Sequence, residues 1–158
     1  MRMTTYTDYS LRTLMYLAVK PEGLATIADI SSAYGISRNH LMKVVHQLGQ
    51  AGIVETVRGR QGGLRLAAPP EKINLGDVVR QMEPDLEIAP CFAAKGACAI
   101  QPCCLLQRAL QQALKAFLAV LDEYTLADLI GPRARLTSLL GIEPARRARG
   151  SAGPPARQ

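Results

Sequence analysis

Between residues 26 and 67 the hydrophobic period changes from helical to alternating, and that change limits the fold more than any other feature of the chain. A short helical pattern over 27–34 opens on Thr26 and Asp29, three apart in the manner of a capping box. Gly35 follows, where a left-handed residue permits a sharp helix-to-helix connection. Ser37 is placed to cap a second pattern over 38–51, whose inner stripe is Leu41, Val44, Val45 and Leu48, and Gly52 ends it. The period then falls to two: 53–57 and 64–67 read as strands joined by Arg58-Gly59-Arg60-Gln61-Gly62-Gly63. Two short helices about a glycine, followed directly by a hairpin, make a winged helix-turn-helix pattern.

The flanking sequence supplies helices on both sides. Residues 7–19 carry Leu11, Leu14, Met15 and Ala18 on one stripe, stopped by Lys20-Pro21-Glu22-Gly23. After Pro69-Pro70, Asn74 is placed to cap a helix over 75–82 that Pro84 terminates. Residues 85–103 read as irregular. A long helix over 104–123 presents Leu106, Leu110, Ala113, Leu114, Phe117 and Leu121, with Leu105, Leu118 and Val120 widening the face beyond what a small monomer needs. Thr125 and Asp128 cap a last turn to Ile130, and little fixed structure is expected beyond Gly131-Pro132. The expected fold is therefore mainly α with a small β-wing: a winged helix-turn-helix (1–70), a short helix and cysteine loop (71–103), a C-terminal dimerisation helix (104–131) and a basic tail without fixed structure (132–158).

The 158 residues are enough for one domain that folds without disulfides. No run approaches the ~18 apolar residues of a membrane span. The N-terminus shows no apolar core with a cleavage site, so the cytoplasm is the expected location.

Charge is distributed unevenly. The net charge is +6, but residues 38–65 hold Arg38, Lys43, Arg58, Arg60 and Arg65 against Glu55 alone, whereas 73–132 is net acidic. A basic island centred on a helix-turn-helix and its wing points to a polyanion, and double-stranded DNA fits that pattern. Ser37, Asn39 and His40 are placed to hydrogen-bond phosphates or base edges, Arg38 to read guanine, and Lys43 to meet phosphate. Arg58, Arg60 and Gln61 lie at the wing tip, where a narrow minor groove concentrates negative potential. One such module covers only a half-site, so the wide face of 104–123 leads to the expectation of a two-fold homodimer on a palindromic operator.

All four cysteines, Cys91, Cys98, Cys103 and Cys104, fall within fourteen residues. A disulfide framework conflicts with the absence of an export signal. A structural zinc site normally shows Cys-x-x-Cys pairs, and there are none. Thiolate ligation of an iron–sulfur cluster tolerates wider spacing. Adjacent Cys103 and Cys104 diverge, which leaves three thiolates and a position for another ligand.

The chain resembles a family of bacterial winged-helix iron–sulfur regulators, and within it the NsrR-type branch of nitric-oxide-sensing repressors. The resemblance covers about residues 1–130. It rests on Tyr6-Thr7-Asp8-Tyr9 with Leu11-Arg12, on Ile36-Ser37-Arg38-Asn39-His40-Leu41, and on Val57-Arg58-Gly59-Arg60-Gln61-Gly62-Gly63-Leu64. It continues through Cys98-Ala99-Ile100-Gln101-Pro102-Cys103-Cys104 and Leu121-Asp122-Glu123-Tyr124-Thr125-Leu126-Ala127-Asp128-Leu129. It implies Cys91, Cys98 and Cys104 as ligands of an iron–sulfur cluster, [4Fe-4S] in preference to [2Fe-2S]. Cys103 stands where the pattern has a non-ligand and is an extra thiol. The resemblance also implies Asp8 as a fourth, oxygen ligand, with the partner subunit as one source; read by itself, Asp8 is a helix-dipole or capping carboxylate. The implied function is a repressor whose DNA affinity depends on the cluster and which responds to nitric oxide.

Two alternatives stand beside this reading. A sister regulator would keep the fold and sense iron–sulfur status or redox stress, for which Cys103 offers a thiol. A small thiol or iron–sulfur redox protein would be of another class, but the chain has no Cys-x-x-Cys, no glycine-rich phosphate loop and no carboxylate pair beside a His, and the reading is not an enzyme.

Overall fold

The computed structural model describes residues 3–20, 24–60, 62–92 and 98–142. Seven helices and one hairpin are found among them: α1 (Thr5–Val19), α2 (Ile27–Tyr34), α3 (Arg38–Gln50), β1 (Val54–Val57), β2 (Gly63–Leu66), α4 (Leu75–Met82), α5 (Leu105–Asp122), α6 (Leu126–Leu129) and α7 (Arg133–Leu139). Single 3-10 turns occur at Pro70–Lys72, Pro90–Phe92 and Gln101–Cys103.

Helix α1 is the hub, in contact with α3, α4, α6, α7 and β2. It starts two residues earlier than its stripe suggests, because the Thr4 side chain accepts the Thr7 N–H and caps it. Being covered from several sides, it buries Leu14, Tyr16, Leu17, Ala18 and Val19, while Leu11 and Met15 of the expected stripe only pack at the edge. Its buried Ser10 and Thr13 hydroxyls donate back to the Tyr6 and Tyr9 carbonyls, so neither costs an unpaired polar group.

The helix-turn-helix forms as the pattern requires. Thr26 and Asp29 make the capping box of α2, and Gly35 takes φ +66°, the left-handed conformation that lets the chain turn into α3. Ser37 accepts the His40 N–H as cap of α3, and Leu41, Val44, Val45 and Leu48 are all buried. β1 and β2 pair antiparallel with Glu55 opposite Arg65 and Thr56 opposite Leu64. Ala25, just before α2, adds a bridge to Leu64 through two backbone hydrogen bonds of 3.0 and 2.7 Å, anchoring the wing to the start of the helix pair.

One buried cluster joins these elements to Ile73, Val78 and Met82 around α4 and to Leu126, Ile130 and Ile142, so the core runs on across residue 70. The expectation that the chain loses fixed structure after Pro132 is corrected over 133–142. There α7 packs on α1, Ile142 is buried, and Arg133 donates to the Val19 carbonyl at 3.2 Å. Leu136, Leu140 and Ile142 supply the apolar residues that basic composition obscured. Residues 143–158 lie outside the described residues.

The foot of α5 is fastened to α4. Arg80 forks onto Asp122 with contacts of 2.7 and 2.6 Å, Asn74 donates to the Asp122 carbonyl at 2.7 Å, and Leu75 N–H bonds to the Tyr124 carbonyl. Gly76 lies beneath this fork: a β-carbon there would sit 1.9 Å from Asp122 Oδ1. Above the foot, α5 has no buried residue, and Leu105, Leu106 and Val120 are 74%, 67% and 53% exposed. Among the described residues, no helix is long and apolar enough to cross a membrane.

Candidate nucleic-acid interface and cysteine segment

The outer face of α3 is polar because its inner face is spent on the core. Ser37, Arg38, Asn39, His40 and Lys43 are all exposed. The Ser37 hydroxyl is engaged in capping, which fixes the N-terminal turn and aims its backbone N–H groups outward. Arg38, Asn39 and Lys43 make no side-chain hydrogen bond or ion pair among the described residues, and the His40 ring lies 6.2 Å from that of Tyr9. Arg58 and Arg60 are likewise exposed at the wing tip. Gln61, assigned to the same tip, lies outside the described residues.

Two features modify the basic island read from sequence. Arg65 is paired with Glu55 across the strands at 2.7 Å. Among the described residues, the basic side chains of the island without an ion pair are thus Arg38, Lys43, Arg58 and Arg60. Met42, by contrast, is 51% exposed, one helical turn beyond Arg38, and offers an apolar contact of the kind that suits a thymine methyl group. Its spacing from Arg38 was the available signal, obscured because methionine more often belongs to a core.

The cysteine segment is built on the start of α5. Cys104 is the N-cap of α5, and its sulfur accepts the Gln107 N–H at 3.4 Å, at the positive end of the helix dipole. The Gln107 side chain donates to the Cys91 carbonyl at 3.3 Å, which brings the Pro90–Phe92 turn against the same helix end. Sequence reading overlooked Gln107, which carries no ligand chemistry itself. Cys98 and Cys103 are exposed at the two ends of the turn between Cys98 and Cys104, with the Cys103 S–H directed to the Ile100 carbonyl at 3.5 Å. All four thiols are free. Among the described residues no three His, Cys, Asp or Glu side chains gather closely enough to hold a metal. Asp8 lies in the first turn of α1 and pairs with Arg12 at 2.8 Å. The donor chemistry nevertheless suits iron and sulfide: soft free thiols on one short segment, one of them at the N-terminus of α5.

The sequence matches the Rrf2 family, described as iron-dependent transcriptional regulators, over residues 3–132. The chain belongs to this family. It is 53% identical over 145 residues to the HTH-type transcriptional regulator NsrR of Bacillus subtilis (strain 168), covering 90% of this chain and 99% of that one. Among solved structures it is similar to CymR, the global cysteine regulator of B. subtilis (27% identity, TM-score 0.66, covering 82% of this chain and 95% of that one). It is also similar to T. potens IscR (28% identity, TM-score 0.66, covering 84% and 88%). The chain is thus an NsrR-type, DNA-binding transcriptional regulator with a winged-helix fold. The alternative of a small redox protein gives way, since the family is one of regulators and not of enzymes.

Proposed function

We propose that this regulator is a cytoplasmic, homodimeric repressor that binds a palindromic operator while Cys91, Cys98 and Cys104 hold an iron–sulfur cluster, and that it releases DNA in response to nitric oxide. The observation that carries the reading is the placement of Cys104 as the N-cap of α5, with Cys91 tethered to the same helix end by Gln107. A cluster on these thiols would be joined directly to the helix whose apolar face is free for a partner. When bound, such a cluster supplies irons that react with nitric oxide; a [4Fe-4S] form is favoured by the likeness to NsrR-type regulators.

This chain's own residues do the rest. Arg38, Asn39, His40 and Lys43 enter the major groove from α3, with Ser37 fixing their turn. Arg58, Arg60 and Gln61 follow the backbone or minor groove from the wing. Pairing through α5 sets the two α3 helices at half-site spacing, about 34–36 Å for successive turns of DNA. Asp8, which pairs with Arg12 in the structure, would supply the fourth, oxygen ligand, from this or the partner subunit; an oxygen donor is a poor match for thiophilic iron, which would make that position the labile one.

The test is an anaerobic absorption spectrum and operator titration of the wild type and of Cys91→Ala, Cys98→Ala, Cys103→Ala and Cys104→Ala, before and after nitric oxide. A thiolate–iron band that is lost in the Cys91, Cys98 and Cys104 variants but kept in Cys103→Ala, with operator release on nitric oxide, is the expected result. Full nitric-oxide-responsive binding in all four variants would overturn it. The exposed Cys103 favours one second reading, a sister regulator responsive to redox stress; release by peroxide in preference to nitric oxide, abolished in Cys103→Ala, is its signature.

A further inference from the structure

The chain between α4 and the cysteines is gripped at one charged residue. Glu83, where α4 ends, accepts the Thr4 backbone N–H with both carboxylate oxygens, 3.2 Å each, and the Thr4 and Thr7 hydroxyls with Oε2. These donors form the first turn of α1, and Thr7 is completely buried. A carboxylate there meets the unpaired N–H groups and positive end of α1.

The same turn carries a second handle. The Tyr6 hydroxyl donates to the Lys43 carbonyl at 2.6 Å, in the middle of α3 and in one of the residues that face DNA. Burial raises the Tyr6 phenol above its ordinary value, so it remains a donor. Beyond Glu83 and Pro84, residues Leu86 and Ile88 border a pocket of about 190 Å3 against Met3, Leu114 and Phe117. The segment leading to Cys91 therefore lies between the start of α1 and the half-buried Leu114 and Phe117 of α5, with room to shift.

We infer that Glu83 is a positioning residue: it latches the cysteine-bearing segment to the first turn of α1, and through Tyr6 and the Lys43 carbonyl that turn holds the recognition helix in its DNA-binding position. This inference rests on the reading that the state of the cysteine segment controls operator binding. Movement of the segment into the pocket would release Thr4 and Thr7, unfasten the start of α1 and let α3 move relative to the wing. A capping role alone would stop at α1 and never reach α3.

A double-mutant cycle separates the two roles. Full-length Glu83→Ala, Tyr6→Phe and the double variant are prepared with and without cluster, and operator affinity and amide hydrogen exchange in α3 are measured. In the wild type, cluster loading is expected to change operator affinity by about 5–150-fold. Each single variant is expected to retain the cluster absorption while that ratio falls toward unity, and the double variant to go no further. In cluster-free protein, α3 amides are expected to exchange about tenfold faster in either single variant, again without addition in the double. An unchanged affinity ratio with faster exchange confined to the first turn of α1 would overturn the latch. If the wild type itself shows no cluster-dependent ratio, the parent reading fails, and α3 exchange alone decides: a non-additive rise supports the latch and its absence overturns it. Should Glu83→Ala fail to fold, Glu83→Gln with Tyr6→Phe decides by the same readouts.

Discussion

At the scale of single residues, pairing with a neighbouring side chain decides which charges are free to meet DNA. Arg65 belongs to the basic island by composition, yet Glu55 faces it across the hairpin and holds its guanidinium. Arg58 and Arg60 are exposed with no carboxylate bound among the described residues. Replacing both Arg58 and Arg60 by Ala is expected to weaken operator binding across sequences. It should also flatten the dependence of log affinity on log salt by about 0.9 for each phosphate that is no longer neutralised. Arg65→Ala should change that slope much less, and a salt titration of all three proteins checks the contrast. Arg38→Ala is expected to cost ~1–3 kcal/mol and to relax base preference at one position of each half-site, read by binding to a set of single-base operator variants. Equal losses from Arg38 and Arg65 would remove the distinction between reading and paired charges.

At the scale of elements, the junction of α4 and α5 is set by a residue with no side chain. Gly76 allows Asp122 to approach α4 closely enough for the Arg80 fork, and a methyl group there would collide with the carboxylate. Gly76→Ala gains helix propensity but must displace the fork. A net destabilisation of ~1–3 kcal/mol is expected, seen as a lower Tm, and a raised Tm would show that α5 is not seated by this contact. The same pair carries a pH signature. The hydrogen bond from Arg80 holds the Asp122 carboxyl below its ordinary value of 3.8. Because the folded value is depressed, the contribution is present above 3.8 and is lost as pH falls from there through the folded value. The Tm difference between wild type and Asp122→Asn should therefore persist at neutral pH and close only in acid. The pair is exposed, so solvent limits its size.

At the scale of the molecule, α5 leaves large apolar side chains exposed in the single chain. It is fastened at its foot and bears exposed Leu105, Leu106 and Val120 along its length, beside half-buried Leu110, Leu114 and Phe117. In the proposed homodimer these side chains form the contact between subunits. Leu106→Glu, a substitution at a site 67% exposed in the single chain, should leave the winged-helix core folded but give a monomer in light scattering, with loss of tight operator binding. A dimer mass that Leu106→Glu leaves unchanged would remove α5 from the proposed interface.

Much of this protein was legible in local sequence because the relevant interactions are local. The Thr26–Asp29 box, Gly35, the Ser37 cap, the inner stripe of α3 and the hairpin that follows are set within a few residues of one another, and each forms where the pattern places it. Clustering of the cysteines could also be read directly, since spacing is a property of the chain. Folding alone decided which groups meet at long range. It paired Glu83 with Thr4 and Thr7, Tyr6 with the Lys43 carbonyl, and Arg80 with Asp122, each across 37 or more positions. It turned α1 to bury Ser10 and Thr13 and brought 133–142 back onto the core despite their basic composition. The physical reason is that helix caps and periodic stripes are fixed by neighbours along the chain, whereas a carboxylate's partner and a helix's buried face depend on which elements share the core.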